Sequence, residues 1–215
     1  MKMPDRIEAF SSVDEAAATL AAFAKVFAIP CAVMSAEEIV RESADSAWMR
    51  QLARKCAGGA EVYWRWAGEI IPRMVKSARY VINQEQYDML VRRTGMGLLR
   101  SWRELSPARG ARLSFGVAFR TIDLLFKAIN ESKDCRADIV QSFLHVPLDA
   151  ATLRPLRLCI NELVDRDFAI EIPATIPAGF VATEEQYVLL QEAIFTLAER
   201  ASAPPIVYAY FCEGV

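Results

Sequence analysis

Glycine is scarce in this 215-residue chain: there are nine, where average usage would give roughly 15. Open α/β sheets and β-sandwiches need glycine at many turns, so the shortage counts against both, and 33 alanines favour a mostly helical protein. Long apolar runs are also missing. The longest stretch without Asp, Glu, Lys or Arg is 12 residues, short of the ~18 that suggest a membrane span. The opening Met1-Lys2-Met3-Pro4-Asp5-Arg6 has no apolar segment of the signal-peptide kind. The expectation is a soluble, cytoplasmic protein with no membrane association. Histidine occurs once, at His145. A Ser-His-Asp or Cys-His nucleophile would depend on that one imidazole, and no nucleophile-elbow sequence accompanies it.

The five cysteines, Cys31, Cys56, Cys135, Cys159 and Cys212, include no C-x-x-C pair. A disulfide framework, a zinc site and a four-cysteine iron–sulfur cluster all lack their spacing, so reduced thiols are expected, with no metal and no cofactor. What the chain does have is 53% hydrophobic residues, enough to bury a sizeable core as one domain over residues 1–215. The fold class read from this is all-α, a compact multi-helix domain. No repeat, low-complexity tract or linker divides it.

Charge is uneven. The net −2 conceals seven arginines between Arg92 and Arg120 (Arg92, Arg93, Arg100, Arg103, Arg109, Arg112 and Arg120) against the single acid Glu104, while Thr121–Val215 holds 14 acids and 7 bases. Within a Debye length only the local field acts on a phosphate backbone. Arg93, Arg100 and Arg103 also fit the wet face of a helix.

Helix starts are well marked. Ser12-Val13-Asp14-Glu15, Ser35-Ala36-Glu37-Glu38 and Thr183-Glu184-Glu185-Gln186 fit the capping box, and Asn83 with Gln86 is a looser version leading towards Leu105. Tyr187, Leu190, Ile194 and Leu197 form one apolar face of the last long helix. Further helices are expected at 61–82, 117–130, 137–144 and 150–163. Pro173, Pro177 and Gly179 make 167–182 an extended connection. The stretch Gly95-Met96-Gly97-Leu98-Leu99-Arg100 begins like a dinucleotide fingerprint but has Arg100 at the third glycine and no preceding strand, so it reads as helix with small residues for close packing. In Tyr63-Trp64-Arg65-Trp66 one tryptophan is expected buried and the other half-wet.

Two stretches carry the functional expectation. Leu113-Ser114-Phe115-Gly116-Val117-Ala118-Phe119-Arg120 reads as a glycine turn entering an apolar helix, with Arg120 in its first turn, and such a turn offers backbone N–H groups to phosphate. His145-Val146-Pro147-Leu148-Asp149-Ala150-Ala151-Thr152-Leu153-Arg154 is an extended segment feeding Asp149, which sits as an N-cap.

Together these stretches, over roughly residues 106–160, resemble the helix-hairpin-helix DNA glycosylases, in particular the 8-oxoguanine branch. That resemblance implies a hairpin-like element at 106–130 that binds DNA phosphate through Gly116 and Val117. It also implies a functional segment and helix at 145–163, Asp149 as the catalytic carboxylate, and Arg112, Arg120 and Arg154 as DNA-binding residues. The departures are specific. Ala118 replaces the second hairpin glycine, and Arg120 stands where bifunctional members carry the lysine nucleophile. A guanidinium stays protonated and forms no Schiff base, so the implied activity is monofunctional hydrolysis of the N-glycosidic bond of a flipped base in duplex DNA. Lys127, seven residues beyond Arg120 on the same face, is a candidate displaced amine or simply a surface lysine. The alternative is a non-catalytic helical protein that binds DNA or docks a protein partner. In that case the run Ile206–Phe211 is either an exposed docking segment or a closing element of the core.

Overall fold

The computed structural model describes residues 9–45, 59–105, 113–133, 135, 138–164, 169–177 and 179–214. The protein is all-α, and among the described residues there is no strand, only an isolated parallel bridge between Ala32 and Ser132. The chain divides into two compact units, residues 30–143 and residues 1–29 with 144–215. The first holds 18 Lys/Arg and 13 Asp/Glu, a net +5; the second holds 7 and 14, a net −7; together they make the −2 of the whole chain. They are called the basic and the acidic unit below.

The basic unit contains α2 (Ala36–Asp45), α3 (Gly59–Ala78), α4 (Gln84–Leu105) and α5 (Phe115–Glu131). Each packs on the next, and α2 also packs on α5. The α2 start is a capping box: the Glu38 N–H donates to Ser35 Oγ at 3.3 Å and the Ser35 N–H to Glu38 Oε2 at 2.7 Å. At α4 the Gln86 N–H donates to Asn83 Oδ1 at 2.9 Å, as the sequence predicts. In α3, Tyr63 and Trp66 are buried and Trp64 is 42% exposed, which matches the divided expectation for that aromatic cluster. Tyr63 Oη donates to Ser43 Oγ at 2.8 Å and ties α3 to α2. Between α4 and α5, Gly95 allows close approach: a Cβ there would lie 2.8 Å from Cε2 of the Phe119 ring.

The acidic unit is assembled from both ends of the chain: α1 (Val13–Ala24), α6 (Ala150–Leu153), α7 (Glu184–Arg200) and α8 (Pro205–Glu213). Its centre is α8, which packs on α1, α6 and α7. Every residue from Pro205 to Phe211 is buried, the pattern of a helix that is apolar on all sides. The run Ile206–Phe211 is therefore a closing element, not a docking segment. Gly214 ends α8 in the left-handed conformation, φ 73°, where glycine carries no Cβ penalty. The predicted α7 face, Tyr187, Leu190, Ile194 and Leu197, is buried, and Thr183 Oγ1 accepts the Gln186 N–H at 3.2 Å. Ser12 caps α1 in the same way through the Glu15 N–H.

Two expected helices differ. Residues 138–142 form a 3-10 segment. The helix expected over 150–163 is one α-turn followed by 3-10 turns at Arg154–Leu156 and Ile160–Glu162. The reason is Pro155, which has no N–H to give to the Ala151 carbonyl. The last α-type bond runs from Arg154 N–H to Ala150 O. Beyond it the bonds have three-residue spacing, Arg157 to Arg154 at 3.2 Å and Cys159 to Leu156 at 3.0 Å.

Candidate nucleic-acid interface and the motif residues

The motif residues fall in both units. Gly116, Val117, Arg120 and Lys127 belong to the basic unit, and Asp149 and Arg154 to the acidic unit. Arg112, with 106–111 of the hairpin-like element, lies outside the described residues.

The described part of that element is already helix. The helix α5 begins at Phe115, so Gly116 and Val117 sit in its first turn and Arg120 in its second, one turn later than the sequence suggests. Ser114 occupies the N-cap with extended backbone, but its side chain makes no capping bond. Ala118, at the place of the second hairpin glycine, is fully buried, so its methyl packs inward. Arg120 is half-buried, with interactions of its own. Lys127 Nζ is 3.2 Å from Glu131 Oε1, and the side chain is only 14% exposed, which makes it half of an i,i+4 ion pair and not a surface lysine.

The basic unit also holds buried polar residues not singled out from the sequence. Asp123 is fully buried in α5, at i+3 from Arg120 and i−4 from Lys127, hence on the same helical face as both. A buried carboxylate is tolerable only with such cationic neighbours. Asn130 is 3% exposed, and neither its Oδ1 nor its Nδ2 has a hydrogen-bond partner. Asp123 and Asn130 lie seven residues apart on the helix, a spacing that by itself gives no sign of their burial.

Asp149 is held firmly. Its backbone is extended, φ −147° and ψ −172°, and its Oδ1 accepts from the Ala151 N–H at 2.7 Å and the Thr152 N–H at 3.1 Å. Thr152 Oγ1 accepts the Asp149 N–H at 3.0 Å and donates to the Pro147 carbonyl at 2.8 Å. The N-cap role read from the sequence is present in full, as a reciprocal capping box. The same corner is braced by Tyr208, whose hydroxyl donates to the Thr152 carbonyl at 2.7 Å. Burial, with the Cys212 sulfur and the Asp149 charge adding to it, raises the Tyr208 hydroxyl well above its ordinary value. Burial raises the Cys212 thiol to about 12, with Asp149 again contributing, and the Cys159 thiol to about 11. Thiols held this way are protonated at neutral pH and poor nucleophiles. The only imidazole is spent on structure: His145 is buried with Nδ1 2.8 Å from Tyr187 Oη. Arg154 is half-buried at the C-cap of α6.

The face of α4 that turns to solvent is the main electrostatic feature. Arg92, Arg93, Arg100 and Arg103 are all exposed, and Met89 and Met96 between them are each 44% exposed. At 100° per residue, Met89, Arg93, Met96, Arg100 and Arg103 fall within one stripe. The acids on that side, Glu85 and Glu104, stand at the two ends of the helix.

Among the described residues, no group of three or more His, Cys, Asp or Glu side chains is placed to hold a metal ion, and no helix is long and apolar enough to cross a membrane. No protein-family model, no curated protein and no solved structure matches the chain.

Proposed function

We propose that the protein binds duplex DNA and that the basic unit makes the contact. The observation that carries this is the exposed arginine stripe of α4, in which Arg93, Arg100 and Arg103 point to solvent. Guanidiniums suit phosphate because they are planar, permanently charged and capable of two parallel hydrogen bonds. The likeness of residues 106–160 to helix-hairpin-helix DNA glycosylases supports the same partner. The test is duplex binding as a function of salt. Log affinity should fall linearly with log salt, and replacing Arg93, Arg100 and Arg103 together by Ala should reduce the slope by about 3. An affinity indifferent to salt, or a triple variant that binds like the wild type, overturns the proposal.

A second reading adds catalysis, favoured by the fixed carboxylate of Asp149 at a helix head. In a monofunctional glycosylase this group would stabilise oxocarbenium-like charge on a flipped nucleotide or activate a water. Asp149→Asn separates chemistry from folding, because Asn caps a helix as well as Asp. Duplexes carrying a panel of modified bases, treated with alkali after incubation, should break with the wild type and not with the variant. No breaks on any lesion under conditions of measured binding leaves the non-catalytic DNA-binding protein.

A further inference from the structure

In a chain with nine glycines, three lie in the interiors of α3 and α4: Gly68, Gly95 and Gly97. A helix-interior glycine is unfavourable against alanine because it leaves more backbone freedom to lose on folding. Gly95 has a packing reason, since any Cβ there would strike the Phe119 ring. Gly97, two residues on, has none: apart from its chain neighbours and the backbone of its own helix, nothing lies within 4 Å of where its Cβ would be.

The neighbours of Gly97 supply a different reason. Arg93 lies one turn before it and Arg100 one turn after, and both are exposed. Their positions are about 10 Å apart along the helix axis. Between them Met96 covers one side of the helix surface and the partly exposed Gly97 leaves the other without a side chain, so on that side a ligand can come closer to the backbone. Two cations straddling a flat stretch of helix fit a chain of phosphates crossing it, because a single small anion would be satisfied by either guanidinium alone. We infer that Gly97 is the point where the phosphodiester backbone of duplex DNA lies against α4, clamped by Arg93 and Arg100. This inference rests on the DNA-binding proposal above and deepens it from a charged face to a specific contact. Met96, exposed beside the glycine, then meets the sugar edge of the same strand.

The experiment uses the full chain and a labelled duplex oligonucleotide at fixed salt, with Gly97→Ala, Gly97→Leu and the control Gly68→Ala. Gly97→Ala and Gly68→Ala should each raise Tm by about 2–4 °C, as alanine does in an open helix position. Only the Gly97 variants should lose affinity, about threefold for Ala and about tenfold or more for Leu, as the strand is pushed away from two charge-assisted contacts. A variant that becomes more stable and binds worse cannot be explained by misfolding. If both Gly97 variants bind like the wild type while the triple arginine variant has lost binding, the contact is refuted and the DNA-binding proposal stands. If Gly68→Ala weakens binding as much as Gly97→Ala does, the effect is not local and the contact is again refuted. If the triple arginine variant binds like the wild type, both fall together.

Discussion

Residues 30–143 carry a net +5, and residues 1–29 with 144–215 a net −7, although each unit has helices started by a side-chain cap, α2 and α4 in the first and α1 and α7 in the second. They differ in where their polar groups go. In the acidic unit many interior polar groups are mutually bonded, Gln191 with both backbone groups of Val146, His145 with Tyr187, Thr152 with Pro147, and Tyr208 with Thr152, while Arg157 Nε is buried without a hydrogen bond. In the basic unit the arginines of α4 stand in water, while Asp123 and Asn130 are buried in α5. A bonded polar network fixes a shape, whereas an exposed row of one charge raises the local concentration of its counter-charge. Charge in this protein therefore bears on partner choice in one unit, and polarity bears on rigidity in the other.

That contrast can be broken first by binding. Replacing Arg93, Arg100 and Arg103 by Ala should lower duplex affinity by roughly a hundredfold at physiological salt, whereas Arg154→Ala, in the acidic unit, tests whether that unit contributes at all. An equal loss from Arg154 alone, measured by fluorescence anisotropy, would end the division of labour and restore the fuller contact set implied by the glycosylase likeness. Next in size is Gly95→Ala, expected to cost about 1–3 kcal/mol because the Phe119 ring must move. The opposite sign at Gly97 in the same helix makes the pair a sensitive check by urea unfolding. Asp149→Ala should cost about 1 kcal/mol through loss of the cap, and Asp149→Asn only a few tenths.

A separate effect is alkaline. Cys159 and Cys212 keep their protons in the folded state to about 11 and about 12, while an unfolded thiol releases its proton near ~8.5. Raised folded values mean that their contribution is complete below the unfolded value and is lost as pH rises from there towards the folded ones. Tyr63, in the basic unit, is raised to about 12 from an ordinary value near ~10. The acidic unit should thus begin to weaken at lower pH. Cys212→Ala should flatten the decline of the urea midpoint between pH 8.5 and 10, roughly the window between the two unfolded values, and Tyr63→Phe should leave that window unchanged.

Much of the fold was legible because its signals are local. The caps at Ser12, Ser35 and Thr183 act over three residues, with the full reciprocal box only at Ser35, and the α7 stripe from Tyr187 to Leu197 acts over about three turns. Trp64 and Trp66 were separable by helical geometry alone. The breakdown of 150–163 into 3-10 turns also has its cause in the sequence, at Pro155. The joining of α1 to α7 and α8 had no local sign, since pairing of distant segments is decided by packing. At the candidate site, the cap at Asp149 and the wet face of Arg93, Arg100 and Arg103 were readable from spacing. The burial of Asp123 and Asn130 was not, because a polar residue in an apolar helix reads as exposed until its neighbours are known.

The central position of α8 has a consequence for how the chain is made. The four helices of the basic unit pack on one another within residues 30–143, whereas α1 packs on α7 and α8, near the other end of the sequence. During synthesis the helices of residues 30–143 emerge one after another, while the apolar face of α1 stays uncovered until α7 and α8 have been made. Substitutions in the pairing of α1 with α8 are then expected to lower the yield of folded protein more than equal substitutions between α4 and α5.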